Sequence, residues 1–123
     1  MTKYLPILLF TLTAQAFEFT GKVVGVADGD TLTVLYQGKK QYKIRLQHID
    51  CPESAQAFGT KAKQALSKKV FGKVVTIKFE EMDRYKRILG DVYIGKEWIS
   101  LEMVKEGMAW HYKYYSKDAI MAA

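Results

Sequence analysis

Tyr42, Ile44 and Leu46 alternate with Lys43, Arg45 and Gln47, and Val75, Ile77 and Phe79 alternate with their neighbours in the same way. A period of two places one set of side chains on each face of a strand, so both stretches predict strands, and Arg45 falls on the face opposite the apolar stripe. Phe19 to Val26 and Asp30 to Tyr36 are rich in β-branched and aromatic residues, with Gln37-Gly38-Lys39 supplying a hairpin turn after the second. Ile88 to Ile94 predicts a fifth strand, turned by Gly95-Lys96.

Between the third and fourth strands the period changes. Ala55, Phe58, Ala62, Leu66 and Val70 recur at spacings of three and four, which predicts a helix capped by Ser54 and ended by Gly72. A second helix is expected from Ser100, with Leu101, Val104 and Met108 on one side and Gly107 near its end. Ser116 opens a possible third helix that runs out of chain at Ala123. The expected fold class is therefore α+β, mainly β. Three strands, a helix, two strands and a helix suit a five-stranded OB-type Greek-key barrel with two full helices and a truncated third.

The N-terminus follows a different pattern. Met1-Thr2-Lys3 is a short positive leader, Tyr4 to Thr13 is apolar, and Ala14-Gln15-Ala16 is a small-x-small cleavage site. These features predict a signal peptide over residues 1–16, a mature domain over 17–123, and secretion or delivery to the periplasm. The apolar run is too short to span a bilayer as a mature helix. No membrane span is expected in the mature chain, and nothing implies a stable protein partner, so a monomer is expected.

The chain's 123 residues bound one domain, and a hydrophobic content of 49% fits a folded core. Without Lys3, 18 basic residues stand against 13 acidic ones, an excess of +5 that favours polyanionic partners. Cys51 is the only cysteine, which excludes an intramolecular disulfide. His48 and His111 have no second His or Cys at metal-ligand spacing, so both read as scaffold.

Three polar islands interrupt the strands: Asp28-Gly29-Asp30-Thr31, Arg45 to Glu53, and Asp83-Arg84-Tyr85-Lys86-Arg87. Asp30 and Asp50 sit at ends of predicted strands, and antiparallel pairing brings such ends together. Two adjacent carboxylates repel and call for a hard, oxygen-preferring cation. Cys51, held extended by Pro52, is able to turn its backbone carbonyl toward the same ion. Glu53 then stands where a base would take a proton from water. Arg45 and Arg87 match the equatorial oxygens of a phosphodiester in its transition state, where a planar fork of donors outperforms lysine. Read singly, each acid is also a normal turn or first-turn residue, and each arginine a normal surface ion-pair partner.

In these three islands the chain resembles the thermonuclease family, the staphylococcal or micrococcal nuclease-like proteins. The resemblance runs from about Phe19 to Tyr115. It rests on Asp-Gly-Asp-Thr at 28–31, Arg-Leu-x-x-Ile-Asp-x-Pro-Glu at 45–53 and Asp-x-Tyr-x-Arg at 83–87. It implies an OB-type barrel and calcium-dependent hydrolysis of DNA and RNA to 3′-phosphate ends. It also implies catalytic roles for Arg45, Glu53 and Arg87, calcium binding by Asp30, Asp50 and the carbonyl of Cys51, and substrate contacts from Arg84 and Tyr85.

The chain departs from the family pattern at three points. The stretch between Glu53 and the first helix is shorter than in the best-known member, the third helix is cut short, and the aromatic cluster Trp110 to Tyr115 has an ambiguous register, with Tyr115 as the expected substrate contact. The alternative to an enzyme is a non-catalytic OB-type nucleic-acid-binding module.

Overall fold

The computed structural model describes residues 16–111. The expected signal peptide over 1–16, Tyr115 and the third helix from Ser116 fall wholly or almost wholly outside that range. Ten elements follow in order: β1 (Phe17–Asp28), β2 (Thr31–Tyr36), β3 (Lys40–Leu46), β4 (Ile49–Asp50), α1 (Gly59–Val70), β5 (Val74–Met82), β6 (Ile88–Ile94), β7 (Glu97–Trp98), α2 (Ile99–Lys105) and β8 (Trp110–His111).

The five long strands lie in the order β3-β2-β1-β5-β6, and a parallel pairing of β3 with β6 closes them into a barrel. Closure gives each long strand a neighbour on both sides. This is the OB-type, mainly β architecture expected from the order of elements. β7 extends β6, while β4 and β8 form a separate two-stranded ribbon in which Asp50 faces Trp110. Irregular register in β1 and β5 marks bulges that bend those strands around the barrel.

Alternation settles which residues face inward. Val23, Leu32, Val34, Ile44, Leu46, Ile77 and Val92 are fully or almost fully buried, and α1 adds Ala62, Leu66 and Val70 to the same core. Around Phe19, rings of Tyr36, Tyr42 and Phe79 lie 5.3, 5.7 and 5.8 Å away between centroids, an aromatic cluster that draws on β1, β2, β3 and β5. Among the described residues no helix is long and apolar enough to cross a membrane.

Both helices differ from the pattern-based expectation. α1 begins at Gly59, because Ser54 bonds to Asp28 and Ala27 instead of capping a helix, and Phe58 adopts a left-handed φ of 64° that breaks helical continuity. Ala55 and Phe58 are consequently outside the helix, and the Phe58 ring is 68% exposed. α2 buries Ile99, Ser100 and Met103, leaving Leu101, Val104 and Met108 only partly covered. It ends at Lys105, and the φ of 73° at Gly107 just beyond allows Gly107 N–H to bond Val104 O and Met108 N–H to bond Met103 O. That pair of bonds satisfies carbonyls that a helix end otherwise leaves open.

Leu66 is fully buried where α1 meets the barrel. Leu66→Ala is expected to cost about 2–5 kcal/mol of unfolding free energy, read by denaturant titration. A loss well under about 1 kcal/mol would mean that α1 is not part of the core.

Candidate active site

Register determines what meets Arg45. Thr31 pairs with Arg45 across β2 and β3, and Leu46 N–H bonds Asp30 O at 2.8 Å, so the first polar island lies directly against the second. The Arg45 guanidinium turns back over its own chain. Nη1 donates to Leu46 O at 2.6 Å and to Ile49 O at 3.0 Å, while Nη2 lies 3.3 Å from both Asp30 Oδ2 and Asp50 Oδ1. The two expected metal-binding carboxylates thus share one nitrogen.

Asp30 is the more buried of the pair, with its side chain 10% exposed. Burial pushes its pKa up, and the attraction of Arg45 with hydrogen bonds from Thr31 and the Cys51 thiol only partly offsets that, so the carboxyl stays above its usual range. The Cys51 thiol is pushed up too, first by burial and then by the Asp30 charge. It is inert as a nucleophile in this state. The Cys51 N–H donates to Asp50 Oδ1 at 3.1 Å, which fixes that carboxylate relative to the chain after it. A buried acid that shares its only guanidinium with a second acid is short of positive charge.

That shortage is where a divalent ion fits. Carboxylate oxygens are the donors a hard cation prefers, and two converge here. Among the described residues no group of three or more His, Cys, Asp or Glu side chains gathers to hold a metal. An ion at this place would therefore take its remaining ligands from backbone, water or substrate, as an open site requires.

Glu53 is exposed on a compact turn that two contacts hold in place. Ser54 donates to Asp28 Oδ1 through its hydroxyl at 2.6 Å and its N–H at 2.9 Å, anchoring the residue after Glu53 to the end of β1. The Ser54 hydroxyl is also the main reason the Asp28 carboxyl lies below its usual range; burial opposes this, and the Ser54 N–H, Lys63 and Arg45 add to it. Gly59 presses on the same turn, since a Cβ there would lie 1.7 Å from Glu53 O. Only glycine permits α1 to start so close.

Arg87 precedes β6, whose Leu89 pairs with Arg45 in the parallel closure. Ile44, Leu46, Ile88 and Gly90 are buried, so Arg45 and Arg87 share the outer face of adjoining strands. Asp83 organises the turn that delivers Arg87. Its Oδ1 accepts from Tyr85 N–H at 2.8 Å and Arg87 N–H at 2.9 Å, and its Oδ2 accepts from Arg87 Nε at 2.8 Å. The Arg84 and Arg87 guanidinium carbons lie 5.2 and 5.6 Å from the centre of the Tyr85 ring, which is 66% exposed. The three residues expected from the third island are therefore one cluster.

An open cleft of about 630 Å³ joins Arg45 and Asp50 to Gln47, His48, Glu80, Glu81 and Leu89. Neither Glu53 nor Arg87 lines it. Glu80 and Glu81 have no counterpart in the sequence reading, because it is the bulge after Phe79 that brings consecutive residues to the cleft. His48, expected as scaffold, has a left-handed φ of 72°, with Nε2 3.7 Å from Asp91 Oδ2, and its ring stands edge-on to Trp98. Trp98 Nε1 donates to Asp91 Oδ1 at 3.0 Å. An acid in the middle of β6 was the available signal for this anchor.

The chain as a whole is similar to known proteins. A family model described as staphylococcal nuclease homologue matches residues 43–122. A Haemophilus influenzae protein named as an uncharacterized endonuclease is 49% identical over 116 residues, covering 93% of this chain and 65% of the relative. A micrococcal nuclease of Shigella flexneri is 42% identical over 120 residues, covering 90% of this chain and 68% of the relative. An Escherichia coli protein, also named as an uncharacterized endonuclease, is 38% identical over 124 residues, covering 98% and 80%. The chain thus spans just under two thirds of the Haemophilus protein.

Asp83 gives a pH-dependent prediction. Burial pushes its carboxyl up, but the bonds from Arg87 and Tyr85 together outweigh burial and hold it below the ordinary value of 3.8. A depressed carboxyl stabilises the fold fully above the unfolded value, and the benefit fades as pH falls through the folded one. Because the pair also meets solvent through Arg87, Asp83→Asn is expected to cost only about 1 kcal/mol at neutral pH. In parallel denaturations, the gap between parent and variant should close as pH drops well below 3.8. A gap independent of pH would exclude the ionised turn.

Proposed function

The chain belongs to the staphylococcal nuclease family, and from that membership together with the site's geometry we propose that it is a calcium-dependent nuclease cutting DNA and RNA to leave 3′-phosphate ends. The observation that carries this reading is the convergence of Asp30 and Asp50 on a single nitrogen of Arg45. Asp30, Asp50 and the carbonyl of Cys51 would hold the calcium ion, which supplies positive charge for the phosphate and makes water more acidic.

Glu53 takes a proton from the attacking water as its oxygen adds to phosphorus. The bond from phosphorus to the 5′ oxygen breaks, the 5′ oxygen leaves and takes a proton from solvent water, and phosphate remains on the 3′ side. Arg45 and Arg87 stabilise the charge that grows on the equatorial oxygens. Two carbonyl bonds hold Arg45 rigid beforehand, which lowers the reorganisation that the transition state demands. Arg84 and Tyr85 hold the substrate strand from the neighbouring turn, and Tyr115 adds a further contact. The protein works as a monomer after export beyond the inner membrane, directed by residues 1–16.

Incubation with single- and double-stranded DNA and with RNA, in calcium or in excess chelator, tests the reading directly. Calcium-dependent cleavage with 3′-phosphate products is expected, and none in chelator. Glu53→Gln and Arg45→Ala should each slow cleavage by about a hundred- to a thousandfold, with a much smaller effect on nucleic-acid affinity. Asp50→Ala should lose calcium binding and cleavage together. Binding without any calcium-dependent cleavage would make the chain a non-catalytic nucleic-acid-binding module instead.

A further inference from the structure

The chain's entire positive excess comes from one segment. Between Glu53 and Glu80 the sequence holds Lys61, Lys63, Lys68, Lys69, Lys73 and Lys78 and no aspartate or glutamate. Setting those 6 aside from the 19 basic residues leaves 13 basic against 13 acidic in the rest, so the net charge of +6 equals the charge of this segment. Such asymmetry creates a local field that the chain's net charge alone does not reveal.

The fold brings three of these lysines to one side. α1 buries Gly59, Ala62, Leu66 and Val70, which leaves its lysines on the remaining faces. Lys61, Lys68 and Lys69 line an open cleft of about 670 Å³ between α1 and the turn after α2, with the 57% exposed ring of Phe71 among its walls. Lys69 is paired with Glu106. Among the described residues no ion pair within 4.0 Å engages Lys61, Lys63 or Lys68. Lys61 Nζ lies 5.6 Å from the centre of the Phe58 ring, and Lys63 is close enough to Asp28 for its charge to help lower that carboxyl. Lys61 and Lys68 share the side of α1 that lines the cleft, whereas Lys63, about 200° round the helix from Lys61, stands on the side toward Asp28 and the candidate active site.

An uncompensated row of like charges repels itself, and a polyanion relieves that repulsion. Lys61 and Lys68 are two helical turns apart, about 10.5 Å along the axis. Phosphates recur about every 3.4 Å along each strand of a duplex, so the row matches roughly three of them. We propose that the lysine face of α1 is a second nucleic-acid contact, gripping the phosphate backbone of a long polynucleotide outside the bond being cut. This rests on the nuclease reading and deepens it: polymers, rather than short oligonucleotides, are the substrate class the protein is built to hold.

The test combines Lys61→Gln and Lys68→Gln in the full chain, glutamine being nearly as good a helix former as lysine. Binding to a long DNA duplex is measured in chelator across a salt series, and cleavage of a dinucleotide phosphodiester is measured in calcium. The double variant is expected to show a logarithmic salt dependence shallower by about 2 and a low-salt affinity weaker by about tenfold. Dinucleotide cleavage should be unchanged. An unaltered salt slope overturns the proposal, as does an equal loss on the dinucleotide. So does a parent that binds phosphatidylglycerol vesicles but not duplex, which would make the face a membrane contact. A parent that grips duplex through these lysines yet cleaves nothing supports the surface while refuting the nuclease reading.

Discussion

The Arg45 guanidinium is where the separate parts of the site become one. It bonds two carbonyls of its own turn and two carboxylates that come from different connections of the barrel. Without its charge, Asp30 and Asp50 would stand close together at the edge of the core with nothing to offset their repulsion. With it, the carboxylates are held but not satisfied, since burial still keeps the Asp30 carboxyl above its usual range. One charge divided between two acids makes a stable apo fold compatible with an appetite for a further cation.

Other acids serve a different purpose. Asp28 and Asp83 each accept several local hydrogen bonds and lie below the usual carboxylate range. Asp28 fastens the turn that carries Glu53, and Asp83 fastens the turn that carries Arg87. Neither needs an ion. The contrast between acids that organise loops and acids left short of charge separates positioning from chemistry more clearly than residue type does, because all four are aspartates with similar turn-forming tendencies.

Charge is also divided at the scale of the whole molecule. The barrel mixes acids and bases, and Glu80 and Glu81 even bring negative charge into the cleft beside Arg45. The lysines without acidic neighbours are concentrated on α1 and the chain that leaves it. A polyanion would meet attraction along the helix and a locally mixed field at the cleft, which on the proposed reading assigns holding the polymer and acting on one bond to different surfaces.

Much of the architecture was legible from short-range pattern. Alternation at Tyr42 to Leu46 and Val75 to Phe79 located strands, the order of elements implied the barrel, and the polar islands held Asp30, Asp50, Arg84, Tyr85 and Arg87, which the structure gathers around Arg45 and Tyr85. What pattern alone misjudged was Ser54, a good helix cap by type that Asp28 claimed as a partner, and with it the start of α1. Nor did it reveal Glu80 and Glu81, because a bulge suspends the period of two on which the inference rests. The meeting of Asp30 with Asp50 belonged to tertiary structure outright. Propensity and periodicity act over a few residues, whereas that meeting depends on the register of β2 against β3 and on the turn that brings Ile49 and Asp50 back over Arg45. A shift of one residue would have sent Arg45 into the core and the two carboxylates apart.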